Sequence, residues 1–223
     1  RQIEIKMGNE ILVFGCGGHA KTVINILNKQ GAWRETHAVD KSPTFKTICG
    51  IPVLSDDEWE NNNNLPNSGI VAIGDNYLRS LIVKKILKAQ PSFRFISAIH
   101  PSAILADSVK VGNGTCIHAG ATIEPDTVVG DHCIINTSSS INHDNHIKDY
   151  CNIGPNSATG GVVVIDTLST LGVGVSVNNN IQIGKNCMIG SGSTIVNDFG
   201  DDSLVYGTPG KLIKKRKLGD SYL

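Results

Sequence analysis

An excess of charge of either sign is the first thing this chain lacks: across 223 residues, 20 Lys and Arg stand against 20 Asp and Glu. With no basic stripe, nucleic acid is not an expected partner. No apolar run approaches the roughly 18–20 residues that cross a bilayer, so no membrane span is expected. No secretory signal is visible, and the cytoplasm is the expected compartment. The six cysteines contain no Cys-x-x-Cys pair, the spacing that most often marks a metal site, so no metal is expected. Cys133, Cys151 and Cys187 stand 18 residues apart in a column that Ser169 completes. They read as small buried residues.

What the chain has in abundance is a period of six. Leu105, Val111, Ile117, Ile123, Val129, Ile135, Ile141, Ile147, Ile153, Thr159, Ile165, Leu171, Val177, Ile183, Ile189 and Ile195 follow one another at six-residue intervals, and only Thr159 is not a branched aliphatic. An amphipathic helix repeats at three and four and a half-buried strand at two. A strict period of six is that of a parallel β-helix, with one short strand and one corner per hexad. Two positions earlier the residue is usually small, as at Thr115, Ala121, Thr127, Cys133, Ser139, Cys151 and Ser157. Glycine often follows the aliphatic, as at Gly112, Gly130, Gly154, Gly172, Gly184 and Gly190. It is expected there for the positive φ of a sharp turn.

Residues 1–100 read differently. Ile11–Gly15 is a buried parallel strand in pattern, followed by a glycine-rich turn and a helix over 22–30. Strands are expected at 36–40 and 70–74 and helices at 56–62 and 76–90, the last amphipathic with Leu78, Leu81, Ile82, Lys85 and Ile86 at helical spacing. Alternating strands and helices imply a small doubly wound sheet, at best half a dinucleotide-binding domain. Two domains are expected, 1–100 and 101–223, the second ending in a basic tail. Gly15, Gly17 and Gly18 open a helix after a strand, where backbone N–H groups and the helix dipole suit a phosphate. Tight packing would account for such a turn equally well. Asp40 ends the second strand, where a carboxylate often meets a nucleotide; it also reads as a turn aspartate. Gly74, Asn76 and Arg79 follow the third strand at the edge where open α/β sheets bind ligands, although Arg79 alone would equally be a solvated helix residue.

Several segments together carry a resemblance. They are Gly15-Cys-Gly-Gly-His-Ala-Lys21, Ala72-Ile-Gly-Asp-Asn-Tyr-Leu-Arg79, Ile99-His-Pro-Ser-Ala103, Asn136-Thr-Ser-Ser139, the Asn142-His-Asp144 corner and Tyr206-Gly-Thr-Pro-Gly-Lys211. Over almost its whole length the chain resembles the nucleotide-sugar acetyltransferases of the PglD, VioB and NeuD type, within the hexapeptide-repeat superfamily. The resemblance implies an α/β half-Rossmann domain followed by a left-handed parallel β-helix, with three hexads per triangular coil. It implies a homotrimer with active sites in clefts between neighbouring coils, and acetyl-CoA as cosubstrate. The acceptor it implies is the amine of a nucleotide-linked 4-amino-4,6-dideoxy sugar, whose product feeds polysaccharide assembly.

The same resemblance assigns roles. His143 stands where the family has its general base, and Asp144 where it has an acidic residue, usually glutamate. An imidazole suits removal of a proton from a sugar ammonium near neutral pH, and a carboxylate orients it. Gly15, Gly17, Gly18 and His19 face the pyrophosphate, Asp40 and Lys41 the base or ribose, and Gly74, Asn76, Arg79 and Asn136 complete the substrate set. Asn152, where a histidine is common, Gly161, Val173, Ser191 and Lys211 are the acetyl-CoA set. The Gly161 N–H is the candidate donor to the developing oxyanion. NeuD-like relatives act on a sialic acid hydroxyl, which leaves O-acetylation as the alternative. A non-catalytic nucleotide-sugar sensor is the reading from another class. A zinc site of the carbonic-anhydrase kind is not expected, because His118, His132, His143 and His146 contain no pair 18 apart.

Overall fold

Glu10–Phe14 forms strand β1, and its unbroken apolar run is buried on both sides: Ile11, Leu12 and Val13 are wholly inaccessible. In the computed structural model, which describes residues 10–220, five more strands join it. They are β2 (Arg34–Asp40), β3 (Thr47–Ile48), β4 (Ile51–Ser55), β5 (Ser68–Val71) and β6 (Arg94–Phe95). The order is β3-β4-β2-β1-β5-β6, parallel except for the β3–β4 pair. Helix α1 (Gly18–Gln30) packs on one side of this sheet; α2 (Asp56–Glu60) and α3 (Asn76–Ala89) pack on the other. The doubly wound sheet expected from the alternation is present. Residues 1–9 of the expected first domain lie outside the described residues.

Two expectations for this half need correction. The sheet has six strands, because β3, β4 and β6 are too short or too polar to show a period; Pro52 even interrupts β4. Helix α3 does not bury the face that its leucines mark. Leu78 and Leu81 are exposed, whereas Asn76, Arg79, Ser80, Val83 and Ile86 are buried. Local caps act as written in the sequence: Ser55 and Glu58 form a capping box at α2, and Asp75 accepts from the Leu78 N–H at α3.

From Ala98 onward the chain climbs as a triangular parallel β-helix. Seventeen two-residue strands, Ala98–Ile99 to Thr194–Ile195, recur every six residues. Each pairs in parallel with the strand 18 residues on, as Ile117 does with Ile135 and Ile135 with Ile153. The first face holds the Ala98, Cys116, Ile134, Asn152, Thr170 and Met188 strands, the second those beginning at Ile104 to Thr194, and the third those beginning at Lys110 to Gln182. The aliphatic of each hexad points inward into one continuous core that extends to Val205. Thr159 also points inward, and its Oγ1 accepts from the Asn142 N–H at 3.3 Å. In the small-residue column several side chains donate to a carbonyl 15 residues ahead: Thr115 to Gly130, Cys133 to Lys148, Cys151 to Asp166 and Ser169 to Gly184. This explains why Cys, Ser and Thr share the position. A final hairpin, Ser203–Tyr206 with Lys211–Lys215, extends the first face.

The glycine expectation also needs correction. The positive-φ corner lies three residues after the aliphatic, at Gly114, Gly120, Asp126, His132, Ser138, Asp144 and onward. Glycines directly after the aliphatic are there for close approach: a Cβ on Gly154 would stand 2.5 Å from the Gly172 carbonyl oxygen. Among the described residues, no helix is long and apolar enough to cross a membrane.

Candidate active site

The Asn142–Asn145 corner, between the second and third faces, gathers the expected catalytic pair. Asp144 takes a left-handed conformation (φ 58°), and its N–H donates to the Pro125 carbonyl one coil below. That places His143 and Asp144 side by side, with His143 Nδ1 2.7 Å from Asp144 Oδ2. Both side chains are more than half exposed in one protomer. Nδ1–H donation to the carboxylate leaves the Nε2 lone pair available. The corner is held from inside by Asn145, which occupies the small-residue column. Its Nδ2 donates to the carbonyls of Asn142, His143 and Gly160. Sequence reasoning missed Asn145, although an asparagine in a column of Ser, Thr and Cys was the signal.

Gly161, one coil above His143, lies directly beneath the ring. A Cβ there would be 2.6 Å from His143 Cε1 and 2.7 Å from Nε2. The Gly161 N–H has no partner among the described residues, whereas its carbonyl accepts from Asn180. We expect Gly161→Ala to push the imidazole off its Asp144 contact and lower kcat by about 10- to 100-fold without moving the melting temperature. Undiminished turnover would show that the ring need not lie over this glycine.

The nucleotide-loop residues sit on the opposite side of the prism. Gly15 has φ 115°, and a Cβ on it would be 2.9 Å from the Ala72 oxygen, so only glycine fits. Gly17 caps α1, and neither it nor Gly18 has another atom within 4 Å of its Cβ position. No acidic residue or capping side chain blocks this 13-residue helix N-terminus. Asp40 accepts from the Ser42 N–H at 3.1 Å and, after burial, contributes to holding the Cys16 thiol up at about 11. The thiol form of Cys16 is thereby favoured. Lys41 is exposed beside it. His19 stacks on His118, with ring centroids 5.5 Å apart. Burial, then His118 and Arg79, push His19 down to about 3; burial, then His100, pushes His118 down to about 4.

Two residues of the expected substrate set are buried. Arg79 is 1 % exposed and Asn76 is 5 % exposed. Arg79 donates to the carbonyls of Ile73, Gly74, His132 and Tyr150 and to Asn76 Oδ1. Asn76 in turn donates to Leu168 and Ser169 carbonyls and Thr170 Oγ1. Both fasten α3 to coil corners and face no groove. Gly74 serves this staple through its carbonyl.

The acetyl-CoA set splits between two edges. Gly161 shares the second–third edge with His143. Val173 and Ser191 lie together on the first–second edge, the Val173 N–H donating to Ser191 Oγ at 3.1 Å. Half-buried Asn136 is on that same edge, and buried Asn152 is on the first face next to it. Lys211 is exposed at the start of the last strand. A cavity of about 750 Å³ opens elsewhere, among Trp33, Phe93, Phe95, His132 and Tyr150. It contains neither His143 nor the glycine-rich loop and is not the candidate site.

Comparison with known proteins agrees with the fold. Residues 10–86 match the family model for the PglD N-terminal domain. A variant of perosamine N-acetyltransferase from Caulobacter crescentus, solved with CoA and GDP-perosamine, is 36% identical over 94% of this chain and 98% of its own, with TM-score 0.86. The acetyltransferase domain of PglB from Neisseria gonorrhoeae, solved with acetyl coenzyme A, is 27% identical over 92% of this chain and 99% of its own, with TM-score 0.83. UDP-N-acetylbacillosamine N-acetyltransferase of Bacillus subtilis is 32% identical over 48% of this chain. The match spans only half of that curated relative's length. The fold class is the half-Rossmann domain followed by a left-handed parallel β-helix.

Proposed function

This chain belongs to the PglD-type sugar acetyltransferases, and from that membership we propose that it moves the acetyl group of acetyl-CoA onto the amine of a nucleotide-linked 4-amino-4,6-dideoxy sugar. The observation that carries the reading is His143, paired with Asp144 and poised over Gly161. His143 Nε2 takes a proton from the sugar ammonium, and the freed nitrogen attacks the thioester carbon. The Gly161 N–H donates to the oxyanion of the tetrahedral intermediate. Collapse breaks the carbon–sulfur bond; the departing CoA thiolate takes the second proton from the nitrogen, and His143 releases the first to solvent. No acetyl-enzyme forms.

The site is assembled between protomers. His143 and Gly161 lie on the edge opposite the first face, which the α/β half covers. The pyrophosphate loop, Asp40, Asn136 and Asn152, with Val173 and Ser191, belong to the other side. One protomer cannot bring the two sets together; its neighbour in a closed trimer can. The second face between the two edges is suited to this contact: its outward row of Ile104, Thr122, Ser140, Ala158, Ser176 and Thr194 carries no charge and is exposed or half-exposed in one protomer. The division of labour follows: residues 1–100 hold the nucleotide, and residues 101–223 transfer the acetyl group. Six free cysteines fit a reducing compartment such as the cytoplasm.

The test is CoA release with a panel of GDP-, UDP- and dTDP-linked 4-amino sugars, with free sialic acid as the O-acetyl control. GDP-perosamine heads the panel because a 36% identical structure was solved with it. We expect release with at least one nucleotide amino sugar. The same compound is expected to raise the melting temperature, because it binds only the folded chain. Release with sialic acid alone would turn the reading to O-acetylation, and stabilisation without release would turn it to sensing.

A further inference from the structure

Where the glycine-rich turn meets the coil, three side chains converge, of which only His19 belongs to the expected pyrophosphate set and none touches the reacting atoms. His19, on the first turn of α1, Cys116, on the first face, and His118, two residues beyond it, each place a donor atom within 4.8 Å of the other two. Cys116 is 2 % exposed and His118 is 4 % exposed. The Nε2 atoms of both rings are buried without a hydrogen-bond partner. An unpartnered buried nitrogen costs free energy that folded proteins seldom leave unmet, and here two occur beside a buried thiol. Stacking of neutral rings satisfies their faces and leaves these ring-edge nitrogens unmet.

We propose that His19, Cys116 and His118 bind a d10 transition-metal ion of the zinc class, which pins the nucleotide loop to the β-helix. The donor set selects the ion. Imidazole and thiolate suit Zn(II) and Cu(I), and the absence of a carboxylate from the cluster disfavours Mg(II), Ca(II) and Mn(II). Two positive neighbours, the α1 N-terminus and the Arg79 guanidinium, further disfavour an ion held by charge alone. Burial pushes the Cys116 thiol up and the Arg79 guanidinium opposes this only in part, so the metal itself displaces the proton: the Cys116 S–H proton leaves to solvent as the metal–sulfur bond forms. Zinc bonds of about 2.0–2.3 Å place tetrahedral ligand atoms some 3.3–3.8 Å apart, so the donors close by about an ångström, within reach of side-chain rotation. Water fills the fourth position. Because the site lies across the prism from His143, the ion takes no part in acetyl transfer.

The coil's own repeat supplies conservative variants. Ala98 fills the Cys116 position one coil below, and Asn136 stands 18 residues beyond His118. Cys116→Ala and His118→Asn therefore keep side chains that the prism already accommodates. The whole chain, stripped with a chelator and dialysed, is titrated with Zn(II) against a chromophoric competitor and with Co(II) by absorption. We expect about one equivalent per chain, a thiolate-to-cobalt charge-transfer band, and a melting temperature raised by about 5–10 °C at a hundredfold excess over Kd. Cys116→Ala should abolish the band, and each variant should weaken zinc at least about tenfold while keeping its circular dichroism spectrum. No stoichiometric zinc uptake by the parent chain, or equal uptake by both folded variants, would overturn the assignment. None of these readouts depends on the acetyl acceptor, so they stand or fall separately from the proposed transfer reaction.

Discussion

His143→Ala is expected to lower kcat by about 10²- to 10⁴-fold, the span of a positioned general base, while acetyl-CoA binding and the fold are retained. The reason for retention is local. The His143 side chain is 56% exposed in one protomer, and every hydrogen bond that shapes its corner uses its backbone or its neighbours. Its N–H donates to Asn142 Oδ1, its carbonyl accepts from Val162 and Asn145, and Asp144 is anchored through Pro125. Truncation at Cβ leaves all of these in place, so lost turnover reports lost proton transfer. Asp144→Asn should have a smaller effect, since it keeps the ring but removes the charge that orients it. Steady-state CoA release beside isothermal titration with acetyl-CoA separates the outcomes. Near-normal turnover in His143→Ala would remove the imidazole from the mechanism. Loss of CoA binding along with turnover would make it a cofactor contact.

The β-helix was legible because its physics is one-dimensional. Each hexad must place one aliphatic inward, so the period is written at every turn, and Ile117 to Ile195 are buried as the series requires. Leu105 and Val111 are only half-buried because they lie at the open lower end. The candidate corner is written in the Asn142-His-Asp144 motif. Its relation to the expected cofactor residues could have been taken from spacing. Gly161 is 18 residues from His143 and shares its edge, whereas Val173 is 12 beyond Gly161 and lies on another. What spacing could not show was which coil face the α/β half covers. That choice is made by contacts between residues far apart in the chain, such as Asn76 with Thr170, and no local period records it. For the same reason no local spacing records the approach of Cys116 to His19, which is made only by folding.

The burial of Arg79 carries the other large prediction. An arginine after a strand in an open α/β sheet invites a phosphate, and α3 by its leucines should have turned Arg79 outward. The first-face corners decide otherwise. At His132, Tyr150 and Leu168 the chain turns with positive φ, and the carbonyls of these residues project toward α3 without a strand partner. The five N–H groups of one guanidinium, with Asn76 beside it, satisfy what Leu78 and Leu81 could not. Arg79→Met keeps much of the volume but leaves four buried or part-buried carbonyls and Asn76 Oδ1 short of a donor. The expected loss is about 3–5 kcal/mol, or roughly 6–20 °C in melting temperature for a chain of this size. Arg79→Lys should rescue little, because an ammonium has three donors and no planar fork. Scanning calorimetry measures the loss. Nucleotide-sugar titration well below the melting point distinguishes a staple from a ligand contact. A staple predicts a lowered melting temperature with Kd within about threefold of the parent chain. An unchanged melting temperature with binding weakened tenfold or more would return Arg79 to the substrate site.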